Sequence, residues 1–225
     1  MGMRVTLGII FLCVAVFIGM SFLSQDMNKQ IVERYGFSGQ NLFSHPEVLI
    51  TSIFIHGDID HLLSNILVLF FFGAAVESEL GSKKTLLIFL LGAWIGDIFS
   101  MSFYFLGVYP WTMPSIGASA GVFALIGTGM LVRPFDFSFY PYFMPVPLGL
   151  LGLIYAVYNA IGFAAEGFGA AASNISYIAH FGGLIVGLYF GFQREGWQRG
   201  MKIILVMFMI MILIPYVWTT LGRII

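Results

Sequence analysis

The chain has 225 residues, of which 59% are hydrophobic and only 9% are charged. Its mean hydropathy is +0.94. The core of a water-soluble protein of this size does not require so many apolar residues, so the composition indicates an integral membrane protein. The formal net charge of −1 gives no support to a nucleic-acid partner. The single cysteine, Cys13, excludes an internal disulfide framework.

Apolar stretches separated by short connections follow one another along the chain, which favours a bundle of membrane-spanning helices. We therefore predict an all-α polytopic fold with seven transmembrane helices in a single domain over residues 1–225. The predicted spans cover roughly residues 5–23, 61–80, 84–106, 117–132, 147–165, 176–193 and 201–221.

The loop charges predict the orientation of these spans. With the N-terminus in the cytoplasm, the inner segments carry seven Lys and Arg residues and the outer segments carry three, as the positive-inside rule requires. The first outer connection, residues 24–60, is long and apolar, so we expect it to lie partly in the membrane interface. A folded cap over the helices is the simpler alternative. The uncharged outer stretch 167–174 is a candidate mobile flap.

Polar residues recur near the outer ends of three predicted spans. His61 and Asn65 are four residues apart and share one face of the second span. Ser119 lies among small residues at the start of the fourth span, and His180 lies near the start of the sixth. Polar groups inside a membrane usually face the bundle interior or a water-filled cavity. We therefore expect these four side chains to meet at one depth, a few ångströms below the outer surface.

Such a group of side chains permits acyl transfer. A serine hydroxyl is a weak nucleophile that needs an adjacent base, and imidazole titrates in the useful range. The oxyanion that forms needs hydrogen-bond donors, which an imidazole N–H and a carboxamide can supply.

The residue chemistry alone leaves other interpretations open. A serine between glycine and alanine commonly serves close helix packing, and a lone histidine or asparagine commonly forms an interhelical hydrogen bond. Histidine together with Asp97 also fits a proton-coupled transporter, although no inverted repeat stands out in the sequence. Asp97 has a simpler interpretation as a buried carboxyl group bonded to a neighbouring helix.

Several short motifs follow one another between about His56 and Gly191. The motifs are His61-Leu62-Leu63-Ser64-Asn65, Gly73-Ala74-Ala75-Val76-Glu77 with Leu80-Gly81, Gly117-Ala118-Ser119-Ala120-Gly121, and Ala179-His180-Phe181-Gly182-Gly183 with Gly187. Together and in this order they resemble the rhomboid intramembrane serine proteases. His56 precedes His61 by five residues, as in many members of that family.

The resemblance implies a Ser–His dyad in which Ser119 is the nucleophile and His180 the general base. It implies an oxyanion hole made by the Ser119 backbone N–H with the side chains of His61 and Asn65. Phe123 departs from a tyrosine that stacks on the catalytic histidine in some members, so stacking is expected without the phenol hydroxyl. The residues expected to support the site are His56, Gly117, Phe123, Gly183 and Gly187.

The expected fold is a rhomboid-like six-helix core of about residues 5–193 followed by one extra helix at about 201–221. The expected function is hydrolysis of peptide bonds in or near transmembrane segments of membrane-protein substrates. A proton-coupled transporter and a non-catalytic rhomboid-like protein that binds membrane clients are the alternatives. We expect no cofactor and no metal, since the four histidines lack zinc-site spacing. The expected location is a prokaryotic cytoplasmic membrane, with the active site open to the outside.

Overall fold

A computed structural model of the chain describes residues 3–137, 146–167 and 176–221. Regular structure in these ranges is helical, apart from one isolated bridge between Phe37 and Ser115. The candidate flap 167–174 lies outside the described residues except for Gly167. The helices are α1 Arg4–Ser21, α2 Gln25–Tyr35, α3 Gly39–Ser44, α4 Val48–Phe54, α5 Ile59–Leu80, α6 Ser82–Phe105, α7 Ser119–Val132, α8 Leu148–Gly167, α9 Tyr177–Glu195 and α10 Trp197–Leu221.

The described part of the chain contains four helices that are long and apolar enough to cross a membrane, namely α1, α5, α6 and α8. Helices α9 and α10 meet this criterion together, as a pair bent by 118°. Each of the seven predicted stretches contains a helix. The number of seven crossings stays a prediction, because α7 has only 14 residues and α9 and α10 qualify only as a pair.

Helix α7 is the centre of the molecule, and its residues from Ala120 to Leu131 are all buried. A helix that is apolar on every side belongs in a core rather than at a surface. It packs most extensively against α9. A Cβ atom on Gly183 or Gly187 of α9 would meet the backbone carbonyl oxygen of Ala120 or Ala124. These two glycines therefore allow the backbones of α7 and α9 to approach closely.

The first outer connection folds into three short helices, α2, α3 and α4, whose positions were not predicted from the sequence. Two of them begin at serine N-caps. The Ser24 hydroxyl accepts a hydrogen bond from the Met27 N–H at 3.3 Å, and Ser38 accepts one from the Asn41 N–H at 3.1 Å. These local capping signals were present in the sequence.

The folded connection holds the segment that leads into α7. Phe37 and Ser115 exchange two backbone hydrogen bonds, of 2.9 and 2.7 Å, and the Gly117 N–H donates to the Ser52 carbonyl at 2.9 Å. Helix α7 begins at Ser119 rather than at the predicted residue 117, because Gly117 has a φ of +115°, which lies outside the right-handed helical region. The connection therefore decides where α7 starts.

The motif at the end of α5 anchors α1. The buried Glu77 carboxylate accepts backbone hydrogen bonds from Val5 and Thr6 at 3.0 and 2.9 Å, and hydroxyl bonds from Thr6 and Ser82 at 2.7 Å each. Gly73 lies against the Thr6 side chain. The side chain of Met3, the N-cap residue of α1, does not cap the helix. The Glu77 carboxylate of α5 instead accepts hydrogen bonds from N–H groups in the first turn of α1.

Candidate active site

Ser119 is the first residue of α7. The first N–H groups of a helix have no acceptor within the helix, and they carry the positive end of its dipole. The backbone of Ser119 and of the next residues can therefore stabilise negative charge next to the serine hydroxyl.

His180 is the fourth residue of α9, and its Nε2 lies 2.8 Å from the Ser119 Oγ. The imidazole is buried, with 9% of the residue exposed. The ring of Phe123, one turn after Ser119, stacks on this imidazole with a centroid distance of 4.3 Å and an interplanar angle of 13°. A serine hydroxyl in a hydrogen bond with imidazole is the arrangement in which the ring can take the hydroxyl proton.

The His61 ring lies against the segment just before Ser119. A Cβ atom on Gly117 would lie 2.7 Å from the His61 Nε2, so the imidazole touches the Gly117 backbone. The ring of His56 contacts the His61 ring edge-on, with centroids 5.0 Å apart. His56 lies in the connection before α5, and burial lowers its pKa to about 4. His56 is therefore neutral at pH 7, and its ring packs against the His61 ring.

Asn65 lies one turn further along α5 and is buried. Its Nδ2 donates to the His61 carbonyl at 2.8 Å. In the described part of the chain this hydrogen bond stays within α5 and does not reach Ser119. A carboxamide has two N–H hydrogens, so the second is not used by this bond. The structure thus brings His61 into contact with the serine segment, whereas the hydrogen bond of Asn65 holds its side chain to the His61 carbonyl.

Asn159 on α8 belongs to the site but is not among the residues predicted from the sequence. It is fully buried, and its Oδ1 lies 3.0 Å from the Nδ1 of His180. Its Nδ2 donates to the Tyr177 carbonyl at 3.1 Å. The signal in the sequence was an asparagine in an apolar span, which is the same signal that selected Asn65.

Asp97 on α6 is also buried, with 9% of the residue exposed. Its Oδ2 has no hydrogen-bond partner among residues 3–137, 146–167 and 176–221, so the expected bond of this oxygen to a neighbouring helix is not seen there. Within the same ranges, no three His, Cys, Asp or Glu side chains lie close enough together to hold a metal ion.

Residues 45–197 match the family model described as the Rhomboid domain, which is more than half of the chain. The chain belongs to the rhomboid family. "RHOMBOID-like protein 12, mitochondrial" of Arabidopsis thaliana is 31% identical over 196 residues, which cover 81% of this chain and 56% of that protein. "Rhomboid protease GluP" of Bacillus subtilis (strain 168) is 32% identical over 185 residues, covering 80% of this chain and 33% of that protein.

The matched region covers only about a third to just over half of the length of these rhomboid relatives. The family resemblance read from the motifs is confirmed. Rhomboid membership supports, at the level of the family, an intramembrane protease in a multi-pass membrane protein. The relatives also include "Rhomboid protein 1, mitochondrial" of Saccharomyces cerevisiae. It is 29% identical over 145 residues, which cover 64% of this chain and 40% of that protein. Because mitochondrial and bacterial proteins both match, the expected prokaryotic cytoplasmic membrane is not supported.

Proposed function

We propose that this rhomboid-family chain is a serine endopeptidase that hydrolyses peptide bonds in or near transmembrane segments of other membrane proteins. The observation that carries the proposal is the 2.8 Å contact between the Ser119 Oγ and the His180 Nε2, inside the matched Rhomboid domain. A hydroxyl paired with a neutral imidazole can be activated as a nucleophile without a metal or cofactor.

In the first step the Ser119 Oγ attacks the carbonyl carbon of the substrate peptide while its proton passes to the His180 Nε2. The C–N bond of the tetrahedral intermediate then breaks, and His180 gives the proton to the leaving amine. In the second step water attacks the acyl ester, His180 takes a proton from that water, and the Oγ regains a proton as the ester bond breaks. The net change is one peptide bond and one water converted to a carboxylic acid and an amine.

The Ser119 backbone N–H and the side chains of His61 and Asn65 are the proposed oxyanion donors. Three facts support this assignment. The N–H belongs to the first turn of α7, the His61 ring touches Gly117, and Asn65 shares a helical face with His61. Removing one oxyanion donor typically lowers kcat by roughly 10²–10³.

The length of α7 supports a site that lies below the membrane surface. At about 1.5 Å per residue, its 14 residues extend roughly 21 Å, about 9 Å less than the hydrocarbon thickness. The end of α7 opposite Ser119 lies beside Arg133 and Arg194, which pair with Glu79 at 3.9 and 2.9 Å. Arginines are typical of the inner boundary. Ser119 would then lie about 9 Å below the outer boundary, open to water from outside.

This orientation places the N-terminus inside. With it we propose one domain over residues 1–225, with seven crossings, a core of about 5–193 and an extra helix at about 201–221. The substrate would reach the site from the bilayer as a transmembrane segment. Its backbone must unwind locally, because a helix keeps its carbonyl groups in internal hydrogen bonds.

The test compares the wild type, Ser119→Ala and His180→Ala in liposomes that contain a single-span substrate. Ser78→Ala is the matched control, because Ser78 lies at the other end of α5 and, among the described residues, its hydroxyl bonds only to the Ala75 carbonyl, at 2.8 Å. We expect both site variants to lose cleavage and the control to keep it.

A fluorophosphonate label, which reacts with an activated serine, provides a second readout that needs no substrate. It should mark the wild type and Ser78→Ala but not Ser119→Ala. Cleavage or labelling that survives in Ser119→Ala would refute the proposal.

A further inference from the structure

The imidazole of His180 is held at both of its nitrogens. Nε2 lies 2.8 Å from the Ser119 Oγ, and Nδ1 lies 3.0 Å from the Asn159 Oδ1. Asn159 is fully buried and comes from α8, whereas Ser119 and His180 come from α7 and α9. Three helices therefore meet at one ring.

The second contact of Asn159 fixes the orientation of its amide. The amide lies 3.1 Å from the Tyr177 carbonyl oxygen, and a carbonyl oxygen can only accept a hydrogen bond. The NH₂ end must therefore face Tyr177, and the amide oxygen must face His180.

The orientation of the amide in turn decides which nitrogen of His180 carries the hydrogen. An amide oxygen only accepts, so the Nδ1 that faces it must be the N–H donor. A neutral imidazole with a hydrogen on Nδ1 has a lone pair on Nε2. That lone pair points to the Ser119 Oγ and is available for the hydroxyl proton.

Packing on both sides holds Asn159 in place. A Cβ atom on Gly162 would collide with the Tyr177 ring, so this glycine lets α8 lie close to the start of α9. One turn before Asn159, the Tyr155 ring contacts Phe123 edge-on, with centroids 6.3 Å apart. Tyr155, Asn159 and Gly162 follow the i, i+4, i+7 spacing of one helical face, which faces the Ser–His pair.

We propose that Asn159 is a positioning residue that selects the Nδ1–H tautomer of His180 and so makes Nε2 the base for Ser119. This inference rests on the function proposed above. The amide oxygen also accepts from Nδ1–H after Nε2 takes the serine proton, so the bond persists through the reaction. Without this acceptor, the ring can adopt the Nε2–H tautomer, which cannot receive the hydroxyl proton, or can rotate away from it.

Two substitutions at the same position isolate the acceptor. Asn159→Leu keeps a similar size and removes both polar ends, whereas Asn159→Asp keeps an oxygen towards Nδ1. Both lose the NH₂ group that bonds to Tyr177, so they differ in the acceptor offered to His180. We expect Asn159→Leu to lower kcat by roughly 10–10²-fold at unchanged KM, a part of what general-base catalysis contributes. Asn159→Asp should recover most of that loss.

A spectroscopic measurement tests the tautomer directly. Ring ¹⁵N spectra of the protein in detergent micelles, with His180→Gln used for assignment, should show the hydrogen of His180 on Nδ1 in the wild type. In Asn159→Leu, part of the population should shift to the Nε2–H form.

The outcomes separate this inference from the proposed function. A wild type that neither cleaves nor reacts with fluorophosphonate contradicts the function, whatever the spectra show. An active wild type whose His180 carries its hydrogen on Nε2 overturns the inference, as does an Asn159→Leu variant with wild-type kcat. Equal losses in Asn159→Leu and Asn159→Asp would show that Asn159 acts only in packing.

Discussion

Two separate constraints keep a side chain off Gly117. Its φ of +115° is strained for any L-residue and costs about 1–3 kcal/mol. A Cβ atom would also lie 2.7 Å from the His61 Nε2, so the ring would have to retreat by about 0.7 Å to reach the 3.4 Å of an ordinary contact. If His61 is an oxyanion donor, a displacement of this size should lower kcat by about 10²-fold in Gly117→Ala with little change in KM.

Gly81 is the matched control. Its φ is +80°, and a Cβ atom there would meet no atom of the described residues within 4 Å. Gly81→Ala therefore shares the backbone strain of Gly117→Ala without the collision with His61. Backbone strain should lower the free energy of unfolding of both variants by about 1–3 kcal/mol, measured by denaturant titration in mixed micelles, and the collision with His61 should add to this loss in Gly117→Ala. In the liposome cleavage assay, only Gly117→Ala should lose kcat.

A Gly117→Ala variant whose kcat matches that of Gly81→Ala would refute this role of the His61 ring. A double variant gives a second check. Because Gly117→Ala is expected to act through the His61 ring, combining it with His61→Ala should slow the enzyme little beyond His61→Ala alone. Fully multiplicative losses would mean that Gly117 acts through another group.

Two further predictions concern rings next to the site. Phe123→Leu removes the stack on His180, worth about 0.5–1.5 kcal/mol, so kcat in the same assay should fall about 2–10-fold, while Phe123→Tyr should keep it. Burial lowers the pKa of His56 from 6.5 to about 4. The contribution of the neutral His56 ring to the free energy of unfolding should therefore be fully present above pH 6.5. It should fall by up to about 3 kcal/mol as the pH drops towards 4. His56→Gln should flatten that slope in unfolding titrations at pH 7 and pH 4.5.

Either expectation can fail in a defined way. If Phe123→Leu and Phe123→Tyr have the same kcat, ring stacking does not position His180. If His56→Gln retains the acid slope of the wild type, another group causes the loss of stability at low pH.

The helical stretches of the fold could be predicted from the sequence with small errors at their ends. A membrane-spanning helix must satisfy its backbone internally and face hydrocarbon, so its length and position appear directly as apolar runs. The order of the short motifs was also sufficient to indicate the rhomboid family, which the match to residues 45–197 confirms. The three helices between Ser24 and Asp58 were missed, because they are short and interrupt a segment that has no long apolar run.

The residue types of the candidate site could be selected from the sequence, but their partners could not. Helical spacing places His61 and Asn65 on one face, yet only the structure shows that His61 touches Gly117 while the hydrogen bond of Asn65 stays within α5. Their roles, and those of Ser119 and His180, stay predictions until the variants are measured.

By itself, the sequence determined a helical membrane protein with polar side chains near one end of three spans, since hydropathy and spacing are local properties. Only the tertiary structure decided that α7 begins at Ser119, because the Gly117 N–H bonds to the Ser52 carbonyl in a region distant along the chain. It also decided that Asn159 reaches His180. Helical spacing places Tyr155, Asn159 and Gly162 on one face of α8. Which helix that face meets depends on the close approach that Gly162 allows to Tyr177, and the spacing within one helix does not identify its partner.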